Sequence, residues 1–397
     1  MNRSLHYRIA LWAVLVGIFL GTEFPKKCGL YRSLVPLVGG PFLLGMLPAT
    51  YHGVEWKFTK QQLAQANITG QHALVTGANS GIGYALVEGL VDLGAASVTL
   101  ACRNRHKCTE AVQRLIAEQQ KSSKTKLRTL VMDTSSLLSV QKAAHEYVRL
   151  MNETGASLDM LFLNAGTAYS NWRDKCVPES DDGIEYVFAT NYLGHFLLYQ
   201  WVEPLLRRSN NMARVVSTSS VVSFLPYSYK VATDLETLNG CSERFVLGLT
   251  PINYSYGQSK LAQLLWTKEL TRRLGPDSNI YVNAFHPGGV ATGIFDKALD
   301  QAGASRFFYW LKDWVCREIL WSATDGAHTG LFLGLQTEHL QRHAIRGNYY
   351  HPQGELVRNA LAEDTQLQRD LWEFSESLVQ PFLPDTATPA EKVDTPP

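Results

Sequence analysis

The sequence predicts an α/β domain whose mainly parallel sheet is doubly wound by helices, preceded by an N-terminal hydrophobic membrane anchor. Three observations carry this expectation. From about residue 70 onward, short apolar strands alternate with amphipathic helical stretches, as in a parallel sheet with crossover helices. The first strand runs into a glycine turn and then into a helix, an arrangement suited to holding a phosphate. An uninterrupted apolar run at residues 9–20 stands apart from this pattern, behind Arg3 and Arg8.

Composition sets the outer limits. Of 397 residues, 45% are apolar and 18% charged, enough for a single large domain with its own core. The expected division is an anchor at 1–50, the α/β domain at 51–383, and a disordered tail at 384–397 rich in Pro, Thr and charge. A formal net charge of +1 gives no basic surplus for nucleic acid. The six cysteines (Cys28, Cys102, Cys108, Cys176, Cys241, Cys316) show no C-x-x-C and no ligand-spaced cluster. That spacing argues against a metal site and a disulfide framework, and favours a reducing compartment.

The apolar run at 9–20 is shorter than the ~20 residues a spanning helix needs, although residues 5–22 would serve if Arg8 snorkels. A second apolar stretch at 34–47, broken by Pro36, Gly39, Gly40 and Pro41, could complete a re-entrant or interfacial hairpin. A cleaved secretory signal has the same basic-then-apolar start. Because the run ends in Gly-Thr-Glu-Phe-Pro, without a small-x-small site, an uncleaved anchor is favoured. Basic residues on both sides of the run leave its orientation open.

Residues 72–76 (HALVT) read as the first strand, and residues 82–93 as the helix after the turn Gly77-Ala78-Asn79-Ser80-Gly81-Ile82-Gly83. Glycines let the backbone approach a dinucleotide pyrophosphate, and the helix start supplies N–H donors and a positive end. Further strands follow at 96–102, 127–132, 160–163 and 214–218, with a last strand at 280–285. After the second strand the chain reads Cys102-Arg103-Asn104-Arg105, with no acid until Glu110. An acid there would hold the ribose hydroxyls of NAD, whereas an arginine accommodates a 2′-phosphate. Arg103, helped by Arg105 or Lys107, therefore favours NADP(H) over NAD(H), a solvated helix start being the plainer alternative.

Tyr256 and Lys260 are spaced four apart at the start of an apparent helix, which puts their Cβ atoms about 5–6 Å apart on one face. A cation so placed favours the phenolate and is expected to lower the tyrosine below its usual pKa of about 10. Such a phenol can exchange a proton with an alcohol or carbonyl oxygen. Alone, the pair would more often be a solvated helix face.

With the glycine turn, Asn164-Ala165-Gly166, Ser219-Ser220 and Tyr256-x-x-x-Lys260 in that order, residues 68–350 resemble the short-chain dehydrogenase/reductase family. Leu100–Asn104, Asn191-Tyr192-Leu193-Gly194-His195-Phe196, Ser259-Lys260-Leu261-Ala262 and His286-Pro287-Gly288 are similar to its retinol dehydrogenase and WW-domain-oxidoreductase branch. The resemblance implies a single Rossmann-type domain and the cofactor NADP(H). It implies cofactor contacts from Gly77, Asn79, Ser80, Gly81, Ile82, Gly83 and Arg103, and from Asp133 near the adenine. Asn164, Ala165 and Gly166 would line the cofactor, as would Tyr256, Lys260, Pro287, Gly288 and Thr292. The implied catalytic set is Asn191, Ser220, Tyr256 and Lys260. Ser220, rather than Ser219, would hold the substrate oxygen. Asn191 would bend its helix and hold a water linking Lys260 to solvent.

Ser220 and Tyr256 stand 36 positions apart, a longer separation than most of the family shows. The insert at 226–250 is polar and aromatic and is expected to form a loop over the substrate cleft, where specificity can reside. Residues 306–321 place Phe307, Trp310, Leu311, Trp314, Ile319 and Trp321 at helical spacing, either as a core-facing helix or as an interfacial lid. With the anchor, this points to a lipophilic alcohol or carbonyl substrate of retinoid, steroid or fatty-aldehyde type. A homo-oligomer is compatible with the sequence. A non-catalytic NADP(H)-binding scaffold or sensor is the alternative, and an epimerase-type enzyme is disfavoured by the G-x-x-x-G-x-G turn. Asn-x-Ser/Thr triplets begin at Asn67, Asn152 and Asn253. A glycan at Asn253 would crowd the cleft, which with unpaired cysteines favours an endoplasmic-reticulum domain facing the cytosol.

Overall fold

Strand β1 (His72–Thr76) is apolar on both faces because both are covered, as parallel sheets require. β2 (Ser97–Cys102), β4 (Met160–Leu163) and β5 (Ala213–Thr218) are covered on both faces as well, every residue being buried, Arg214 of β5 included. With β3 (Lys126–Val131), β6 (Ile280–Phe285), β7 (Tyr349–His351) and β8 (Glu355–Val357) they form one sheet in the order β3-β2-β1-β4-β5-β6-β7-β8. The computed structural model describes residues 60–118, 125–169, 176–210, 212–228, 231–240, 251–290 and 321–384.

All pairings are parallel except the last, in which β8 runs antiparallel to β7. Val75 of β1 sits level with Leu100 of β2 on one side and Phe162 of β4 on the other. The strand order reverses between these neighbours, so the crevice at their carboxyl ends is the topological switch point where such sheets bind ligands. The sequence placed the last strand at 280–285, and the structure adds β7 and β8. At three residues each, these strands are too short to show a period.

Helices α1 (Gly81–Asp92), α2 (Arg105–Glu118) and α6 (Ala323–Leu335) cover one face, burying Leu86, Leu90, Phe162, Phe285 and Phe332. Helices α3 (Leu137–Glu153), α4 (Gly194–Arg207), α5 (Pro251–Leu274) and α7 (Thr365–Val379) cover the other around Tyr192, Phe196, Leu265 and Trp372. Burial of each such side chain contributes about 1.5–3 kcal/mol, and it is this two-sided core that fixes where the strand ends point.

Two expectations meet the described residues differently. Among them, no helix is long and apolar enough to cross a membrane; the anchor at 1–50 lies outside them. The cysteine reading is corrected, because Cys102 at the end of β2 and Cys108 in the first turns of α2 are disulfide-bonded. Six residues apart, they meet because the chain turns directly from strand to helix and brings their Cα atoms to 5.9 Å. Cys176 is disulfide-bonded as well.

Candidate active site

The floor of the cleft is built by backbone. Gly77 follows β1 at φ +65°, and a Cβ there would meet Ala165 Cα at 2.8 Å, so β1 and β4 could not run so close with a larger residue. Gly83 is equally constrained: its Cβ would fall 2.6 Å from Asn164 Nδ2 and into the Gly77 carbonyl. Thr76 Oγ1 accepts from the N–H groups of Asn164 (2.8 Å) and Ala165 (2.9 Å), and Asn164 Nδ2 donates to Thr76 O at 3.0 Å. Asn164, Ala165 and Gly166 therefore sit beside the glycine turn. Ser80 is the N-cap of α1 but its side chain makes no cap bond, so it does not cover the donors of the first turn, Ile82 and Gly83 included. Close-packed glycines with side-chain-uncovered helix donors fit a dinucleotide pyrophosphate.

At the end expected to take the adenosine, Arg103 Nη1 donates to Tyr186 Oη at 3.0 Å, and its Nε lies 3.8 Å from Asp133 Oδ2. The expected phosphate clamp and adenine carboxylate are thus neighbours. Asp133 Oδ1 also accepts from Ser135 N and Oγ. Arg114 Nη2 donates to Asn79 O at 3.1 Å and stacks over the Tyr84 ring. Neither Arg114 nor Tyr186 was expected from the sequence. Arg114 is a single cation eleven positions beyond Arg103, and no local motif marks it.

The other end of the cleft is built by side chains. Tyr256 lies in the second turn of α5 and its phenol is hydrogen-bonded to Ser220, just beyond β5. Lys260 Nζ stands 5.5 Å from the Tyr256 ring centroid and donates to Thr218 O at 2.7 Å. Ser219 faces elsewhere, its hydroxyl donating to Lys260 O at 2.9 Å, which is why only Ser220 is available to the phenol. Asn191 lies in a π-helical turn (Ala189–Leu193) just before α4, and its amide is fully engaged. Its Oδ1 accepts from Thr167 N at 2.7 Å, while its Nδ2 donates to Thr167 O (3.0 Å) and Ser259 Oγ (2.9 Å). Ser259 Oγ in turn donates to Tyr256 O. The buried asparagine thereby ties the β4 loop to the helix carrying Tyr256 and Lys260.

Two residues outside the expected set hold this bend. Gln263 Nε2 donates to Asn191 O at 2.7 Å. His195 Nδ1 lies 3.0 Å from the same carbonyl and Nε2 lies 2.9 Å from Thr76 Oγ1. A carbonyl can only accept, so Nδ1 carries the proton and Nε2 accepts from Thr76. Burial, then the Lys260 charge, holds His195 neutral down to about 3.

The electrostatics correct one expectation. Tyr256 is not lowered: burial pushes it up to about 12, with the Ser220 bond pulling the other way. Burial also brings Lys260 down to about 7. A lysine brought down to about 7 is already uncharged at the pH where such a phenol ionises, so it does not offset the desolvation of the phenolate.

His286, Pro287 and Gly288 follow β6, with Gly288 at φ +89° against Pro352 and Trp321. The His286 ring meets His351 at 5.3 Å, and His351 also faces Phe224, just after Ser220. Burial, reinforced by His351 and Lys260, keeps His286 well below its ordinary pKa. His351 sits on the short β7 and carries no sequence signature. Thr292 lies outside the described residues, as do 241–250 of the insert and 306–320 of the aromatic segment. The described part of the insert is helical in places: a 3-10 turn at Val221–Ser228 and a short helix at Leu235–Asn239. The latter is held to the chain before the π turn by Glu185 N donating to Asn239 Oδ1 at 2.9 Å.

A parallel sheet with a phosphate cradle at its switch point and a paired phenol and lysine beyond β5 defines a dinucleotide-dependent oxidoreductase. A short chain dehydrogenase family model matches residues 71–232. The chain is 30% identical over 341 residues to the WW domain-containing oxidoreductase of Gallus gallus, covering 85% of this chain and 75% of that protein. It is 31% identical over 323 residues to retinol dehydrogenase 13 of Mus musculus, covering 80% and 86%. It belongs to the short-chain dehydrogenase/reductase family, on its retinol dehydrogenase-like branch. Among solved structures, the L-sorbose reductase of Gluconobacter frateurii with NADPH and L-sorbose superposes at a TM-score of 0.54 and 20% identity, covering 74% of this chain and 99% of that one. The Pseudomonas aeruginosa RhlG/NADP complex does so at 0.52 and 23%, covering 71% and 94%. Both share the fold.

Proposed function

We propose that this oxidoreductase uses NADP(H) to interconvert a lipophilic alcohol and its carbonyl, with Asn191, Ser220, Tyr256 and Lys260 as its working residues. The observation that carries the reading is the Ser220–Tyr256 hydrogen bond with Lys260 Nζ 5.5 Å from the phenol ring, beside the switch-point crevice. NADP(H), when bound, supplies or accepts the hydride. Gly77, Asn79, Ser80, Gly81, Ile82 and Gly83 would hold its pyrophosphate, and Arg103 its 2′-phosphate. Asp133 would meet the adenine, and Asn164, Ala165, Gly166, Pro287, Gly288 and Thr292 would frame the nicotinamide side.

In reduction, Ser220 and Tyr256 hold the carbonyl oxygen, and the Tyr256 phenol gives it a proton. A phenol pushed up to about 12 is protonated at neutral pH, the form a general acid needs, although so high a value gives less driving force for the transfer than one near neutrality. Lys260, brought down to about 7, is in its protonated form the group that returns a proton to the phenolate and is left as the neutral amine, and Asn191 fixes Tyr256 and Lys260 relative to the β4 loop. Oxidation runs these transfers backwards. Lipophilicity of the substrate is supported by the retinol dehydrogenase relatives and by the apolar N-terminal stretches, which we read as attaching the chain to a membrane.

The test is cofactor consumption by the full chain against panels of retinal, ketosteroids, long-chain aldehydes and small polar ketones. NADPH-dependent turnover that favours the apolar panels is the expected result. Turnover confined to polar ketones would contradict the substrate class, and preference for NADH would contradict the Arg103 assignment.

A further inference from the structure

The three Asn-x-Ser/Thr triplets fall on different sides of the molecule. Asn67 is exposed in the segment leading into β1, where its Oδ1 accepts from Thr69 N at 3.1 Å and Thr69 bridges Ala95. Everything that immediately precedes a strand in a parallel sheet lies at the amino-terminal edge, opposite the cleft. Asn152 is exposed on the last turn of α3, which feeds into β4, and so lies at the same edge; its Oδ1 accepts from Arg208 Nη2. Asn253 instead belongs to the first turn of α5, three residues before Tyr256. Two acceptor triplets are therefore exposed where a large group would leave the cleft open.

The cysteines give an independent indication. Cys102 and Cys108 are bonded and both are buried, and Cys176 is bonded too. Structural disulfides persist in oxidising compartments and are rare where thiol reductants dominate. The chain also begins with a basic, then apolar, leader of the kind that delivers a protein to such a compartment. This reverses the cytosol-facing orientation expected from the sequence: Cys102, Cys108 and Cys176, which supported it as unpaired cysteines, are bonded, and the crowding at Asn253 that it rested on requires that triplet to stay unmodified.

We infer that the catalytic domain matures in an oxidising, glycosylating compartment and carries N-linked glycans at Asn67 and Asn152, on the face opposite its cleft. In the modification, Asn67 Nδ2 loses a proton and bonds to the anomeric carbon of a lipid-diphosphate-linked oligosaccharide. The anomeric C–O bond breaks and the lipid diphosphate leaves. In the oxidation, the two thiols give up two protons and two electrons to a disulfide-containing oxidant, which is reduced to a dithiol.

The full chain, leader included, is expressed in a eukaryotic cell that performs N-glycosylation, and its thiols are alkylated at lysis. Peptide-N-glycosidase treatment should increase its gel mobility, by about one glycan less in each of Asn67→Gln and Asn152→Gln, and not at all in the double variant, where a residual shift would put a glycan on Asn253 beside the cleft and overturn the assignment. The wild-type protein supplies a readout independent of variant folding. After deglycosylation, peptide mass spectrometry should find residues 67 and 152 converted to aspartate, and the Cys102 and Cys108 peptides joined without reduction. Unmodified Asn67 and Asn152 would overturn the inference, as would alkylated Cys102 and Cys108. None of these readouts involves turnover, so they stand or fall separately from the proposed reaction.

Discussion

The two ends of the cleft are made differently. The end assigned to the adenosine is shaped by backbone: Gly77 and Gly83 admit no Cβ, and Arg103, the side chain expected to clamp the 2′-phosphate, is 59% exposed. The catalytic end is shaped by buried side chains: Asn191, His195, Lys260 and His286 are all within the core. Exposed charges act through geometry and are screened by solvent, whereas buried ones have their ionisation set by desolvation. Substitutions at the two ends should therefore fail in different ways.

Among the residues supporting Tyr256 and the cofactor, the largest effect should come from Lys260→Met. Turnover should fall about 100-fold or more, the scale of a lost contribution to proton transfer, while cofactor affinity changes less. The same variant tests the ionisation. Lys260 titrates at about 7 in the folded chain against 10.5 when free, so between those values the unfolded chain binds more protons. Stability then rises with pH through that window, by at most about 1.4 kcal/mol per unit, and the cost of burying the charge is fully present below about pH 7. Denaturant unfolding from pH 7 to 9 should show this rise in the wild type and a flatter line in Lys260→Met. Parallel lines would sink the buried-lysine account.

Gly83→Ala should act at the other end. Its Cβ would press on the Gly77 carbonyl and Asn164 Nδ2, and overpacking of this kind costs about 1–3 kcal/mol. A loss of about 10–100-fold in NADPH affinity by fluorescence titration is expected, with the pH dependence of stability retained. Arg103→Ala should be narrower, touching one cofactor and sparing the other. Removing one charge-assisted partner of a phosphate costs about 1.5–3 kcal/mol. The NADPH over NADH preference in kcat/KM should shrink by about 10–100-fold, with NADH values nearly unchanged. Equal losses for both cofactors would show that Arg103 supports the fold rather than the 2′-phosphate.

The difference between the ends also explains what the sequence could reveal. A glycine turn is local: strand, turn and helix lie within residues 72–92, and their spacing is the geometry itself. Tyr256 and Lys260 were legible for the same reason, one helix turn apart. Their ionisation was not, because it depends on how much of the core closes over α5, which no local pattern encodes. Arg114, Tyr186 and His351 reach the site across the fold from elements whose own sequences show nothing unusual, and Gln263, although on α5 itself, is marked by no motif. The Cys102–Cys108 bond escaped because a C-x-x-x-x-x-C spacing means a bridge only once the strand is known to turn straight into the helix.

The central claim is that Tyr256 is the proton donor of a working oxidoreductase, and Tyr256→Phe tests it most directly. The substitution keeps the ring and removes the oxygen bonded to Ser220. With the best substrate from the panels, kcat should fall by about 100- to 10,000-fold while the NADPH dissociation constant stays within a few-fold of wild type. Turnover that survives the substitution would assign the proton to another group. A wild-type chain that binds NADPH but turns over no substrate would make the fold a cofactor-binding scaffold.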